Sequence, residues 1–475
     1  MWAQLFFFLH LALALVIVAR VLMRPRMEPS VRLAWIMIVE ALPVVGISAY
    51  LLFGEVRMRS AEVQKMADVR DRLTGLRHAS PLTLVDPPRI ARPVIDANRA
   101  VGGMVAVRGN ALELLAEDDG AMDRMIDAID RAQDHIHILF YIWLPDHSGG
   151  NVAAAVARAA TRGVTCRVIV DALGSRIFVR SSHWRHMQAA GAECVTAFPW
   201  GMPLISMLFQ RLDLRNHRKI VVIDNYIAFT GSRNCADQAF AIKPRFAPWV
   251  DIFVQARGPV VRQMQSVFLA DWMSYTGEDL GEMLVMVGAA ADPGMTAQVV
   301  ATGPDRRAGT ISDCVTTMIH AARERVTITT PYYVPDAPLD SAIRSAARRG
   351  VQVTLILPER NDSLTVRAAS EGFYYGLLDA GVRLMRFRPG LLHAKIITVD
   401  GRMAMIGSAN LDRRSFELNY EVNLLVVDEP FCAALDARQH GYCDRADPLS
   451  LAQVRGWSMA RRIRNNALAL ASPLL

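Results

Sequence analysis

Several signals are missing from this 475-residue sequence. Its six cysteines (Cys166, Cys194, Cys235, Cys314, Cys432, Cys443) form no C-x-x-C pair and no zinc-ligand spacing. That excludes a zinc-ribbon or disulfide-scaffold protein and leaves reduced, mostly core thiols suited to a cytosolic face. Nothing resembles a G-x-S-x-G elbow, so a serine nucleophile of that kind is excluded too. Residues 2–19, WAQLFFFLHLALALVIVA, lack every charged side chain. They also lack the flanks of a cleaved signal peptide: no basic segment precedes them, no small-x-small site follows, and Arg20, Arg24 and Arg26 come at once.

What is present begins with that run, close to the roughly 20 residues a helix needs to cross a bilayer. A second apolar run, 33–53 (LAWIMIVEALPVVGISAYLLF), has Trp35 and Tyr50 near its ends, where interfacial aromatics belong. The two runs predict a membrane anchor of two transmembrane helices over residues 1–54, with Pro43 kinking the second and Glu40 turned toward the partner helix. Both chain ends then lie on one side, and the basic clusters around the spans favour the cytoplasmic side for the body. A formal charge of +7 and a pI near 9.2 suit nucleic acid or an anionic membrane surface, where each Lys or Arg contributes about 1 kcal/mol. Residues 55–108, charged and holding Pro81, Pro87, Pro88 and Pro93, predict a helical stalk and a plain linker.

Beyond the linker, strand and helix patterns alternate. AMDRMIDAIDRAQ has helical spacing, HIHILFYIW is a strand, NVAAAVARAATRGV is a helix closing on Gly163, and TCRVIVDAL is a buried strand. The order returns in the second half with VTITTPYYV, LDSAIRSAARRGV and QVTLILP. The reading is an α/β protein with two pseudo-symmetric domains, 109–290 and 291–475.

The repeat is sharpest in 217–234, HRKIVVIDNYIAFTGSRN, and 393–410, HAKIITVDGRMAMIGSAN. Each copy carries His, Lys two residues on, Asp seven on, Ser fifteen on and Asn seventeen on. These are His217, Lys219, Asp224, Ser232 and Asn234, then His393, Lys395, Asp400, Ser408 and Asn410. In a strand, positions i and i+2 share a face, so each His and Lys point the same way. The set suits a phosphodiester: Lys and Asn bind the anionic oxygens, and His attacks or moves protons. Two facing halves put one His on either side of a phosphorus, one attacking while the other protonates the leaving oxygen. The expected intermediate is a phosphohistidine, and no metal or other cofactor is needed. Asp224 and Asp400 are either turn residues or supports for an active-site His. Ser232 and Ser408 either bind phosphate or cap a turn. Before each motif lies an apolar or basic stretch, and MPLISMLFQRL (202–212) reads as a lipid-facing lip or as core.

H-x-K-x4-D followed by G-S-x-N, twice, resembles the phospholipase D superfamily. With the two apolar runs, YIWLPD, RLDLRNHRKIVVIDNYIAFTGS, TTPYYVPD, LPERNDS, GLLHAKIITVDG, NLDRRSFELNYEVNL and the terminal SPLL, nearly the whole chain resembles bacterial cardiolipin synthases of the two-motif type. The resemblance implies two phospholipase D-like α-β-α domains forming one active site at their interface, in a multi-pass protein of the bacterial inner membrane. It implies transfer of a phosphatidyl group from one phosphatidylglycerol to another, giving cardiolipin and glycerol, with membrane lipids and not nucleic acid as partners. It further implies that Asp251 in WVDIFV and Glu421 in NYEVNL orient the histidines, that His217 is the nucleophile and that His393 is the acid/base. Arg233, where the second copy has Ala409, is expected to bias headgroup contacts. A hydrolytic phospholipase D, or another phosphatidyltransferase of the superfamily, fits the same motif.

Overall fold

The computed structural model describes residues 2–24, 27–55, 60–78, 87–199, 213–284, 294–305 and 309–470. The apolar lip at 202–212, the expected domain boundary at 290/291 and the SPLL terminus lie outside them.

One long sheet runs through both halves, beside two two-stranded sheets. The first half contributes β1 (Val107–Leu114), β2 (His135–Phe140), β3 (Thr165–Asp171), β4 (Glu193–Ala197), β5 (Arg215–Asn216), β6 (Lys219–Ile223), β7 (Ile227–Gly231), β8 (Trp249–Val250) and β9 (Phe253–Arg257). The second half contributes β10 (Met295–Thr302), β11 (Arg325–Thr329), β12 (Tyr333–Val334), β13 (Gln352–Pro358), β14 (Arg383–Phe387), β15 (Leu391–Leu392), β16 (Ile396–Val399), β17 (Met403–Gly407), β18 (Leu411–Asp412), β19 (Asn419–Val427) and β20 (Ala446–Leu449). The two-stranded sheets are β12-β18 and β8-β15. The order β1-β9-β7-β6-β2-β3-β4 in one half matches β10-β19-β17-β16-β11-β13-β14 in the other. The halves meet where β1 pairs antiparallel with β10, so one sheet runs through both about a pseudo-twofold axis. β2, β3 and β4 are parallel and joined by helices, whereas β6, β7 and β9 are antiparallel.

Alternation along β6 shows why the sheet is covered on both faces. Ile220 and Val222 join the core under the long helix Pro259–Thr276, while Val221 and Ile223 join the core under helices Gly120–Asp130 and His147–Thr161. The result is the α-β-α layering expected from the sequence, with the inner helices Pro259–Thr276 and Glu429–Asp444 sharing one core across the axis.

The N-terminal segment departs from expectation in three ways. Among the described residues no helix is long and apolar enough to cross a membrane, so the fold by itself does not establish the two spans. The helices here are α1 (Trp2–Met23), α2 (Pro29–Ala41) and α3 (Val45–Phe53). The second run is thus two short helices rather than one kinked helix, because Pro43 cannot donate to the ladder and Val44 adopts φ 63°. Glu40 is exposed on α2 instead of facing α1. The buried carboxylate is Glu55, which receives Arg20 Nε at 2.5 Å, Tyr50 Oη at 2.7 Å and Arg24, and so ties the end of α1 to the end of α3.

Nor is 55–108 a plain connector. Helix α4 (Ser60–His78) lies along Pro259–Thr276 with Leu73 in the first core, and Arg70 pairs with Asp305 at 3.0 Å. Helix α5 (Arg92–Gly102) inserts Val94 and Ile95 into the core of the second half. Its apolar residues were hidden among prolines and charges, where composition alone reads as linker.

Candidate active site

Both motif histidines sit at the axis, and the backbone delivers them there by a crossed exchange. β5, just before His217, pairs in parallel with β19 of the other half, and His217 N–H donates to Tyr420 O at 2.9 Å. β15, just before His393, pairs in parallel with β8 of the first half, and His393 N–H donates to Val250 O at 2.7 Å. Each His is therefore bound beside the acidic residue of the opposite half, to the residue just before Glu421 on β19 and to the one just before Asp251 at the end of β8.

The side chains repeat the exchange. His217 Nδ1 lies 3.0 Å from Glu421 Oε2, and His393 Nδ1 lies 2.6 Å from Asp251 Oδ1. A carboxylate only accepts, so each Nδ1 carries the proton and each Nε2 presents a lone pair. Ser232 Oγ donates to Asp251 and Ser408 Oγ to Glu421, both at 2.5 Å. Each hydroxyl also accepts from the amide after the acid, Ile252 N at 3.0 Å and Val422 N at 2.9 Å. The serines thus fix the acids rather than a phosphate. The glycine before each serine makes this approach possible, since a Cβ on Gly231 would meet Ile252 O at 2.2 Å and one on Gly407 would meet Val422 O at 2.4 Å.

Burial sets the electrostatics. It pushes His217 down to about 4 against the pull of Glu421, with Lys219 and Lys395 adding to the fall. His393 is lowered by burial too, against Asp251. Burial acts to raise both acids, yet His393 and Lys395 hold Asp251, and His217 and Lys219 hold Glu421, below their ordinary values. Lys219 is pushed down to about 7 by burial, opposed by Glu421 and helped by Lys395; burial takes Lys395 to about 8, opposed by Asp251 and Glu421. Each ammonium donates to the carbonyl of its own histidine, Lys219 to His217 O and Lys395 to His393 O, both at 2.6 Å. The site thus holds two neutral imidazoles and two buried lysines whose protons a bound anion would secure.

The remaining predicted residues divide. Asn234 and Asn410 follow the serines at the site: Asn234 Oδ1 accepts from Ile142 N at 3.2 Å, and Asn410 Nδ2 donates to Asp412 at 3.2 Å. Among the described residues Asn410 Oδ1 is buried without a hydrogen-bond partner. Asp224 and Asp400 are not part of this cluster. Each ends its strand at the far side, roughly 20 Å of extended chain from its histidine. Each carboxylate accepts three backbone amides of the segment entering the parallel strand: Gln133, Asp134 and His135 for Asp224, and Arg323, Glu324 and Arg325 for Asp400, all at 2.8–2.9 Å. They hold hairpin turns in which Asp224 has φ 51° and Asp400 φ 53°. Arg233 does not face a headgroup; it donates to Glu117 O and Asp118 O at 3.0 and 2.8 Å and pairs with Asp119.

Sequence reasoning passed over the rings that pack on the histidines. Tyr141 lies 4.8 Å from His217 and under Lys219 Nζ, and Trp249 lies 4.8 Å from His393. Both stand within or beside strings that repeat in the two halves, YIWLPD and WVDIFV, and position within those strings was the available signal.

Comparison with known proteins bears on the fold and the family. A family model described as "Cardiolipin synthase, PLD-like domain" matches residues 125–272 and 315–440, and one described as "Phospholipase_D-nuclease N-terminal" matches 12–55. Cardiolipin synthase A of Serratia proteamaculans (strain 568) is 37% identical over 464 residues, covering 96% of this chain and 95% of that protein. Cardiolipin synthase A of Yersinia pseudotuberculosis serotype O:1b (strain IP 31758) gives the same figures. Among solved structures, phosphatidylserine synthase of Haemophilus influenzae Rd KW20 superposes with a TM-score of 0.61 at 13% identity, over 81% of this chain and 100% of that one, a likeness of fold.

Proposed function

Because the chain belongs to the phospholipase D-like cardiolipin synthase family, whose members are phosphatidyltransferases, we propose that it joins two phosphatidylglycerols into cardiolipin with release of glycerol. The observation that carries the reading is the crossed pair of histidine–carboxylate contacts at the axis.

His217 Nε2 attacks the phosphorus of one phosphatidylglycerol. The P–O bond to glycerol breaks in line, and His393, protonated on Nε2 in that complex, gives its proton to the departing oxygen. Lys219 and Lys395 balance the charge on the non-bridging oxygens, a role that buried donors perform without reorganising. The glycerol of a second phosphatidylglycerol then gives its proton to His393 and attacks the phosphohistidine, which regenerates His217. Glu421 and Asp251 hold the imidazoles in the tautomer this requires and stabilise each imidazolium as it forms.

The apolar N-terminal helices supply the substrate. Leu5, Phe7, Phe8, Leu9, Leu15 and Val16 are exposed along α1, which a bilayer would cover. In this reading α1 is one span and α2–α3 a kinked second in the bacterial inner membrane, with the body on the cytoplasmic side. The contact of Glu28 with Arg413 at 2.6 Å supports it, because Arg413 lies three residues after Asn410 and so brings the anchor beside the site.

The test uses the full chain in phosphatidylglycerol vesicles. Cardiolipin and glycerol are expected; phosphatidic acid and glycerol alone would make the protein a hydrolase. His217→Ala and His393→Ala should each lower turnover by ~10⁴-fold or more with the fold intact. After rapid quench, phosphohistidine should be absent from His217→Ala. Its presence there would reassign the nucleophile.

A further inference from the structure

Four lysines (Lys65, Lys219, Lys243 and Lys395) stand among the 53 basic residues of this chain. Two are the motif lysines, and a third, Lys243, reaches the same site from a loop. Lys243 Nζ lies 2.5 Å from Asp362 Oδ2, across the boundary between the halves. Tyr332 Oη donates to the other oxygen, Asp362 Oδ1, at 2.6 Å. The loop is fastened to the His393 side: Lys243 N–H donates to Phe240 O at 2.8 Å, Phe240 stacks on Trp249 at 3.8 Å, and Trp249 lies 4.8 Å from His393. Asp362 is close enough for its charge to act on both His393 and Lys395.

The first half builds its wall from other groups: the Tyr141 ring lies 4.8 Å from His217, and the buried Asp171 and Arg215 are close enough for their charges to act on Tyr141. Aligning IWLPD with YYVPD puts Ile142 where the second half has Tyr332. Gly174-Ser175 stands where the second half has Asn361-Asp362-Ser363, and Gly174 packs so closely that a Cβ would meet Tyr141 O at 2.3 Å. The two walls thus differ in kind, a guanidinium on the His217 side and an ammonium on the His393 side, and a part of the substrate that keeps to one side meets only one of them. The headgroup is that part. With His217 as nucleophile, leaving and attacking glycerol both occupy the His393 side, by microscopic reversibility.

We propose that Tyr332, Asp362 and Lys243 form a glycerol subsite that recognises the hydroxyl groups of the phosphatidylglycerol headgroup, first as leaving group and then as acceptor. The inference rests on the reading under Proposed function. A carboxylate has about four acceptor positions, and two here are taken by Tyr332 and Lys243. Among the described residues no other donor reaches Asp362, and the remaining positions are those a pair of neighbouring hydroxyls would take, which water and simple alcohols cannot match.

The experiment incubates the full chain with phosphatidylglycerol vesicles and ethanol, and measures cardiolipin against phosphatidylethanol. Both products come from one intermediate, so their ratio reports acceptor selection independently of how fast that intermediate forms. Asp362→Asn and Tyr332→Phe should each lower the cardiolipin to phosphatidylethanol ratio by about tenfold or more, the loss expected of a hydrogen bond to a buried charge. Should Asp362→Asn not fold, Tyr332→Phe decides alone. Equal slowing of both products, with the ratio unmoved, overturns the subsite and leaves the phosphohistidine reading standing. A wild-type protein that yields no phosphohistidine on quench overturns that reading, and the subsite with it.

Discussion

The two halves agree at His, Lys, Ser, Asn and the hairpin Asp, yet differ at the residue inside H-x-K. It is Arg218 in the first and Ala394 in the second. Arg218 is buried and reaches across the axis, donating to Thr302 O at 2.8 Å and Glu421 O at 3.2 Å while pairing with Asp271 at 2.5 Å. Asp271 lies twelve residues after Pro259, and the matching position after Pro430 is the buried Tyr442. The catalytic groups are duplicated, then, while this buried cross-axis cation stands in the first half alone, beside other links between the halves such as Lys243–Asp362 and Arg445–Glu117.

Removing that cation is the strongest way to break the equivalence. Arg218→Ala leaves Asp271 buried without its charge partner, and should cost about 3–5 kcal/mol of stability. Ala394→Gly removes no partner at all and should cost only about 1 kcal/mol. Thermal unfolding of the two variants measures the difference; equal losses would show that the cation does nothing special.

Next in size come the crossed carboxylates. Glu421→Gln and Asp251→Asn keep the shape but offer an amide in place of an ion, so the imidazolium formed during turnover loses its partner. A fall in kcat of about 10²–10⁴-fold is expected for each, with little change in stability. Because the acids act across the axis, Glu421→Gln should suppress phosphohistidine formation at His217, although Glu421 and His217 belong to different halves. A variant that spares phosphohistidine formation would mean the acids serve their own halves.

The lysines separate activity from stability through pH. Lys219 at about 7 and Lys395 at about 8 lie well below the unfolded value of 10.5. Between those values the unfolded chain binds more protons, so the cost of burying the ammonium groups is borne at low pH and relieved as pH rises toward 10.5. The lysines' contribution to stability should therefore improve above pH 7. The kcat/KM should do the reverse, falling about tenfold per unit for each proton lost. Bound phosphodiester restores the charge, so the alkaline limb of kcat should lie above that of kcat/KM. Limbs that coincide would show that the lysines do not touch the phosphate.

Much of this was legible in the sequence because the repeat has fixed spacing. Period-two strands carry His and Lys on one face, and the G-S-x-N strand follows a tight hairpin, so the α/β class, the pseudo-twofold pair and the positions of His217, Lys219, His393 and Lys395 could be read from register alone. What spacing cannot give is which half a side chain serves, since the exchange of β5 and β15 across the axis joins residues roughly 140 to 200 positions apart. For the same reason nothing in the motif points to Arg218, and α5 reads as linker: their partners, Asp271 and the core of the second half, are remote in sequence. Lys243 had a signal, the scarcity of lysine, that pattern reading did not use.

The smallest effect concerns the third letter of the motif. Asp224 and Asp400 have the same spacing as the catalytic residues, but each sits at the far end of its strand with three amides on its carboxylate. Asp224→Ala strands those donors and places a Cβ-bearing residue without a polar side chain at φ 51°, for an expected loss of about 1–3 kcal/mol. Asp224→Asn keeps one acceptor and tolerates the left-handed backbone, so it should lose less. In both variants kcat per folded molecule should stay within about threefold of wild type, because a shifted hairpin moves Lys219 only through the intervening strand. Active-site titration by phosphohistidine trapping, set beside the unfolding midpoint, separates the two quantities. A collapse of kcat with an unchanged midpoint would move the aspartates from scaffold to chemistry, and with them the reading of why the motif repeats.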